Sequence, residues 1–260
     1  MHSDAPLEPA ADDLPPAMVP ASVGDCGGLS VEYGGETLVL LPEHAVWWPA
    51  QQTLFIADVH FGKEATFRAA AIPIPDQTTE LLQRLTRLIS ATRAVRLIVL
   101  GDLIHARRGR CATTFRQIAE WREANRNVLD MVLVRGNHDL AAGDPPLDWQ
   151  LRCVADPGVL GPFALNHIPP ATETPAAAPT LAGHLHPVVR LSGPARDSLR
   201  LPCFLLRPHV LVLPAFSHFV DGKVLPIEPG DRVFAVADQR VLEVPVRPLP
   251  RTRRRVRVRR

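Results

Sequence analysis

Arg96-Leu-Ile-Val-Leu-Gly-Asp102 sets the fold. A short apolar run closed by a residue that permits any backbone direction reads as a buried strand, ending in a turn that delivers a carboxylate. The same pattern recurs on both sides. Thr53 to Ala57 is a second run, closed by Asp58, and Asp130 to Val134 is a third, closed by Gly136-Asn137-His138-Asp139. Between them lie segments of helical period. Gln77 to Thr92 carries Leu81, Leu82, Leu85 and Leu88 on one stripe with Asp76 as N-cap, and Thr113 to Asn125 is a second helix. This alternation predicts parallel strands with crossover helices. Ligand sites of such sheets gather at the carboxyl ends of the strands.

Upstream, Val31 to Tyr33 and Thr37 to Leu41 flank Gly34-Gly35 and predict a hairpin, and Ala45 to Trp48 predicts one more short strand. Beyond residue 145 the helical period is lost. Short strands are expected around Arg152 and at Phe163–Leu165, Thr180–Ala182, Val188–Leu191, Leu201–Leu206, Val210–Leu213, Arg232–Val236 and Val241–Val244. They suggest a second, mostly antiparallel sheet packed on the first. Residues 169–179 and 192–198 read as loops. Residues 1–24, rich in Pro, Ala and Asp, are expected to be disordered. One domain is expected over 25–250, because ligand-type residues spread from 58 to 186 must converge.

The net charge of +2 hides an asymmetry. Residues 251–260 hold seven arginines, and without them 22 basic residues face 27 acidic ones, a net of −5. The tail could add sequence-independent affinity for a polyanion, or be a plain solubilising end. The cysteines at 26, 111, 153 and 203 stand singly, which suits small buried hydrophobes in a reduced compartment. No apolar run is long enough for a membrane span and no secretory leader is evident, so a cytoplasmic location is expected.

The polar fragments carry the chemistry. Asp58-Val-His60 places residues i and i+2 on one side of an extended backbone. Asp102 has two oxygens that can bridge cations. Asn137 offers an amide oxygen, and beside it His138 can face a substrate, with Asp139 available to orient its ring. His184-Leu-His186 puts two imidazoles at a strand end, and His167 stands alone after Asn166. Imidazoles mixed with oxygen donors suit a pair of divalent transition metals.

This ordered set, D-x-H, G-D, G-N-H-D, H, G-H-x-H, resembles the calcineurin-like metallophosphoesterase superfamily over roughly residues 53–190. The resemblance implies an α/β fold, a two-sheet β-sandwich flanked by helices in four αββα layers. It implies that Asp58, His60 and His186 hold one metal, Asn137, His167 and His184 the other, and that Asp102 bridges them. His138 would be the acid or transition-state stabiliser of phosphodiester hydrolysis by a metal-activated hydroxide. Where the superfamily pattern has a second acid, this chain has His105, which resembles the double-strand-break repair nucleases, where that residue contributes to DNA cleavage. Lys63 and Pro187, beside the first and last motifs, resemble the bacterial ligase-associated DNA damage response endonucleases. That likeness implies DNA as substrate, an ATP-dependent DNA ligase, a helicase and an exonuclease as functional partners, and two divalent ions, manganese first and iron or zinc next. Hydrolysis of cyclic nucleotides or dinucleotide polyphosphates is the alternative, and a catalytically dead scaffold a third. Arg107, Arg108 and Arg110, close after His105, are candidate phosphate contacts. Trp47, Trp48 and Trp121 could stack on bases, core packing being the plainer reading.

Overall fold

The computed structural model describes residues 27–245, except residues 70, 72–73, 127–128, 172–177 and 193–196. The expectations for residues 1–24, for the arginine tail and for Cys26 lie outside the described residues.

Seven strands form the first sheet in chain order: β1 (Leu29–Tyr33), β2 (Glu36–Leu41), β3 (Ala45–Trp48), β4 (Thr53–Ile56), β5 (Arg96–Leu100), β6 (Asp130–Val134) and β7 (Leu151–Val154). Pairing is antiparallel from β1 to β4 and parallel from β4 to β7. The hairpin and the three parallel runs stand where the sequence predicts them. The strand around Arg152 does not, because β7 belongs to this sheet, with Leu133 of β6 opposite Cys153. A short helix (Asn137–Ala142) and a turn at Leu147–Trp149, anchored by buried Trp149, suffice to carry the chain back beside β6.

The central strands are buried on both faces, which is why they read as unbroken apolar runs rather than alternating ones. Leu54, Ile56, Leu97, Val99, Met131 and Leu133 point to the helices, and Phe55, Ile98, Leu100, Val132 and Val134 to the second sheet. Each fully buried large side chain contributes roughly 1.5–3 kcal/mol by leaving water. Four helices are described: α1 (Lys63–Ala69), α2 (Gln77–Thr92), α3 (Ala112–Asn125) and α4 (Asn137–Ala142). The Asp76 carboxylate caps α2 by accepting from Thr79 N–H at 3.3 Å, and Leu81, Leu82, Leu85, Leu88 and Ile89 form its buried stripe.

The second sheet contains β8 (Gly158–Leu160), β9 (Phe163–Asn166), β10 (Thr180–Ala182), β11 (Pro187–Ser192), β12 (Ser198–Leu206), β13 (Val210–Val212), β14 (Lys223–Val224), β15 (Arg232–Ala237) and β16 (Arg240–Val244). Most pairs are antiparallel, but β9, β10 and β13 run parallel in its middle. Phe163, Leu165, Phe204, Leu211 and Phe234 meet the first sheet in a continuous interlayer core. This is the expected two-sheet sandwich flanked by helices. Its outermost layer is thin: among the described residues, Leu225 and Ile227 of an irregular segment cover the far face of the second sheet. Trp47 and Trp48 are core residues, and Trp121 is half-buried, packed against the core with Nε1–H donating to Thr86 Oγ1. No helix is long and apolar enough to cross a membrane. Cys111, Cys153 and Cys203 are unpaired thiols.

Register decides where polar residues meet. Ile56 lies opposite Val99, and Leu100 opposite Val134, so Asp58, Asp102 and Asn137 leave the sheet at one edge. Ala182 lies opposite Asn166, which brings His167 and Gly183 to the same edge of the second sheet. The segment Ala215–Ser217 closes that edge: Phe216 N–H donates to Ala57 O (2.7 Å) and Ser217 N–H to Asp58 O (3.3 Å). Buried His44 supports it by donating from Nδ1 to Ala215 O at 2.7 Å.

Burial pushes the His44 pKa from 6.5 down to about 3, and the neighbouring Arg84 and His218 add to the effect. Below pH 6.5 the unfolded chain therefore takes up a proton that the folded chain refuses until about pH 3. Folding stability falls across that window by up to ~1.4 kcal/mol per pH unit from this ring alone. His44→Asn, whose amide can still donate to Ala215, is expected to flatten the dependence by that amount in urea unfolding at pH 7, 6 and 5. An unchanged slope refutes the assignment.

Candidate metal centre

The turns that follow the strands are unusual. Asp58, His60, Asp102, His184 and His186 have φ of 55, 52, 56, 68 and 44°, in the left-handed region that glycine favours. Such a conformation costs on the order of 1–3 kcal/mol per residue and clusters at functional sites. Here the backbone is over-determined. Asp58 N–H donates to Gly101 O, His60 N–H to Asp102 O and Phe61 N–H to Leu103 O, at 3.1, 2.9 and 2.8 Å. The expectation that Asp58 and His60 share one side of an extended strand is corrected. Two left-handed residues, not strand alternation, turn both side chains inward. His184 and His186 likewise lie in a turn, and they face different groups. Gly101 and Gly136 are required by contact: a Cβ would come within 2.1 Å of His167 Nδ1 and 2.3 Å of Asp102 Oδ1, respectively.

Two mixed groups of ligand atoms result. Asp58, His60 and His186 converge, as do Asp102, His167 and His184, while a third group, of imidazoles alone, joins His60 to His105 and His138. Asn137 joins the second group, with Oδ1 3.0 Å from His167 Nε2. Asp102 stands between the groups, its Oδ1 3.4 Å from His167 Nε2 and its Oδ2 3.8 Å from His60 Nε2. The donors fit cations. His167 Nδ1 lies 3.0 Å from Leu100 O, and a carbonyl can only accept, so the ring proton sits on Nδ1. Nε2 then presents a lone pair to the Asn137 oxygen, and two acceptors at that distance repel unless a cation lies between them. His186 repeats the pattern, with Nδ1 donating to Asp221 O at 3.2 Å and Nε2 lying 3.3 Å from Asp58 Oδ1. That carboxylate oxygen is buried and accepts no hydrogen bond. Burial disfavours charge on His186, but Asp58 outweighs it and raises the pKa. A proton and a metal compete for this position.

Burial, then the surrounding imidazoles, pushes His60 down to about 2, and burial with Lys63 and His138 pushes His105 down to about 4. Burial first, then His167, also lowers His184. Burial thus disfavours the charged form of His60, His105 and His184, and a metal ligand must be neutral. Burial raises the Asp102 pKa, partly opposed by His167.

His138 sits at the rim. Its N–H donates to Asp102 Oδ1 at 2.9 Å, its ring Nδ1 donates to the His105 carbonyl, and its Nε2 lies 4.0 Å from Asp102 Oδ2. Asp139 is corrected: it does not orient this ring. Its Oδ2 accepts from the N–H groups of Asp102 (2.7 Å) and Gly136 (2.9 Å), and its Oδ1 from Leu103 (2.9 Å) and Ile104 (3.2 Å). Burial pushes its pKa up to about 6 against the pull of those amides. It holds the Asp102 turn in shape.

Residues 52–186 match the model of the calcineurin-like phosphoesterase family. The chain belongs to that family. It is thereby a metal-dependent hydrolase of phosphodiesters. Among solved structures, the nuclease MPE of Pseudomonas putida is similar at 38% identity and a TM-score of 0.71, over 84% of this chain and 100% of that one. The phosphoesterase Yfce of E. coli is similar at 18% identity and a TM-score of 0.37, over 74% of this chain and 97% of that one. A comparison with curated proteins gives no match.

Two of the arginines expected to grip substrate serve the calcineurin-like phosphoesterase otherwise. Arg107 Nε donates to Ala141 O at 3.1 Å, and Arg110 Nη1 donates to the carbonyls of Ala142, Gly143 and Asp144. Both close the carboxyl end of α4, where unsatisfied carbonyls favour a cation. The side chain of Arg108 lies outside the described residues. The orienting acceptors Leu100 O, Asp221 O and His105 O went unnoticed in the sequence, because a backbone carbonyl has no residue identity to read.

Proposed function

We propose that this phosphoesterase is a manganese-dependent endonuclease that cleaves DNA phosphodiester bonds. The observation that carries the reading is the 38% identity with a nuclease along the whole of that chain. Asp58, His60 and His186 would hold one ion, Asn137, His167 and His184 the other, and Asp102, which stands between the groups, would serve both. Mixed oxygen and imidazole donors accept manganese, with iron and zinc as competitors. Such a pair of ions, when bound, supplies a water that is nucleophilic at neutral pH and neutralises phosphate charge.

The chain's own residues do the rest. Asp139 fixes the Asp102 turn through four amides. The His138 ring is more than a third exposed and anchored through Nδ1, so Nε2 is the nitrogen that meets an arriving diester. In the imidazolium form Nε2–H donates to the departing oxygen, which a poor alkoxide leaving group requires. By the same proposal the enzyme acts in the cytoplasm in a DNA damage response, beside a ligase, a helicase and an exonuclease.

The test is a parallel incubation of manganese-loaded protein with circular single-stranded DNA, circular duplex DNA and cyclic nucleotides. Opening of a closed circle is expected, with loss on chelation and recovery on adding manganese back. Turnover of cyclic nucleotides with both circles intact would move the assignment to small nucleotides.

A further inference from the structure

Of the inward-facing imidazoles, His167, His186 and His138 each have Nδ1 against a backbone carbonyl. His60 and His184 instead have Nδ1 against another imidazole. His60 faces Asp102 with Nε2, and its Nδ1 lies 3.3 Å from His105 Nδ1, with the two rings edge to face at 75°. A neutral His60 that presents Nε2 to a cation must carry its proton on Nδ1, and that proton needs an acceptor. His167, His186 and His138 meet a carbonyl there; His60 meets the imidazole of His105, much as His184 Nδ1 lies 3.1 Å from His167 Nε2.

We propose that His105 is a positioning residue: its Nδ1 lone pair accepts from His60 Nδ1–H and so fixes the tautomer in which His60 Nε2 is free to bind a metal. The backbone supports the pairing. His105 N–H donates to Phe61 O at 3.1 Å, and Phe61 and Ile104 form a parallel bridge, so the two segments are zipped side by side. His105 then carries its own proton on Nε2. A neutral acceptor holds the His60 ring without bringing a third carboxylate beside Asp58 and Asp102. This inference rests on the proposed function only in that the site takes a divalent ion.

Manganese affinity, read by paramagnetic resonance titration of the metal-free protein, tests the idea apart from catalysis. His105→Asn keeps an oxygen acceptor near the position of Nδ1, whereas His105→Ala removes it. Loss of such an outer partner typically weakens metal binding by roughly 10–100-fold, so Ala is expected to bind manganese that much more weakly while Asn stays within about threefold of the parent. Thermal unfolding of both metal-free variants is expected to match the parent, which excludes misfolding as the cause. Unchanged affinity in His105→Ala overturns the proposal, as does an Asn variant as weak as Ala, which would mean that the ring itself is needed. A third equivalent of manganese bound by the parent and lost in His105→Ala would make His105 a ligand and also overturn it. A parent that binds no manganese would overturn the proposed function as well.

Discussion

Asp139→Ala is expected to cost the metal-free protein several kcal/mol of folding stability and to reduce hydrolysis by more than about 100-fold. Four N–H groups, those of Asp102, Leu103, Ile104 and Gly136, converge on its two oxygens. Each buried donor left without a partner costs about 1–3 kcal/mol, less where the loop relaxes towards water. Relaxation is itself damaging, because Asp102 is held in a left-handed conformation by these contacts and stands between the two ligand groups. Urea unfolding in chelator reads the first effect and manganese titration the second. An Asp139→Ala protein with stability within about 1 kcal/mol of the parent and undiminished metal affinity would show that the turn holds itself.

His138→Asn should behave differently. Neither mixed ligand group loses a member; only the imidazole group of His60, His105 and His138 does, together with the rim contact to Asp102, so manganese affinity at the mixed groups is expected to hold. Turnover of DNA should drop by about 100-fold or more, the usual worth of a positioned acid. An aryl diester such as bis(4-nitrophenyl) phosphate has a leaving group that departs without a proton, so its turnover should fall much less. Steady-state kinetics on both substrates separates the roles. Equal losses would make His138 a stabiliser of phosphate charge rather than a proton donor, and full activity on DNA would remove it from the chemistry.

Much of this was legible in the chain. Leu97 to Leu100 and Met131 to Val134 could be read because burial on both faces forces unbroken apolar runs, and strand ends in such sheets gather ligands. That these residues gather at the strand ends as candidate ligands was legible for the same reason. Their directions were not, since Asp58 and His60 depend on left-handed turns that neither residue type announces. The placement of β7 was missed because α4 is too short to show a period. Asp139 was read as a partner of its neighbour His138, whereas its oxygens find amides about thirty-five residues back in the chain, a pairing that only the register of β5 against β6 creates. Arg107 and Arg110 looked free because the helix end they close could not be seen. The pairing of His60 with His105 arises from backbone contacts between two turns, which leave no trace in composition.

The metal centre straddles the seam of the sandwich. Asp58, His60, Asp102 and Asn137 come from the first sheet, and His167, His184 and His186 from the second. A pair of ions caged there would rivet the layers together, and the spacing of the rivet holes would be set by Leu100, Phe163 and Leu165 in the filling between them. Trimming that filling would let the layers creep inward. Displacements near 1 Å can cost catalysis 100-fold, so a mutation that looks like a bulk defect, far from any polar atom, would surface as a fault in chemistry.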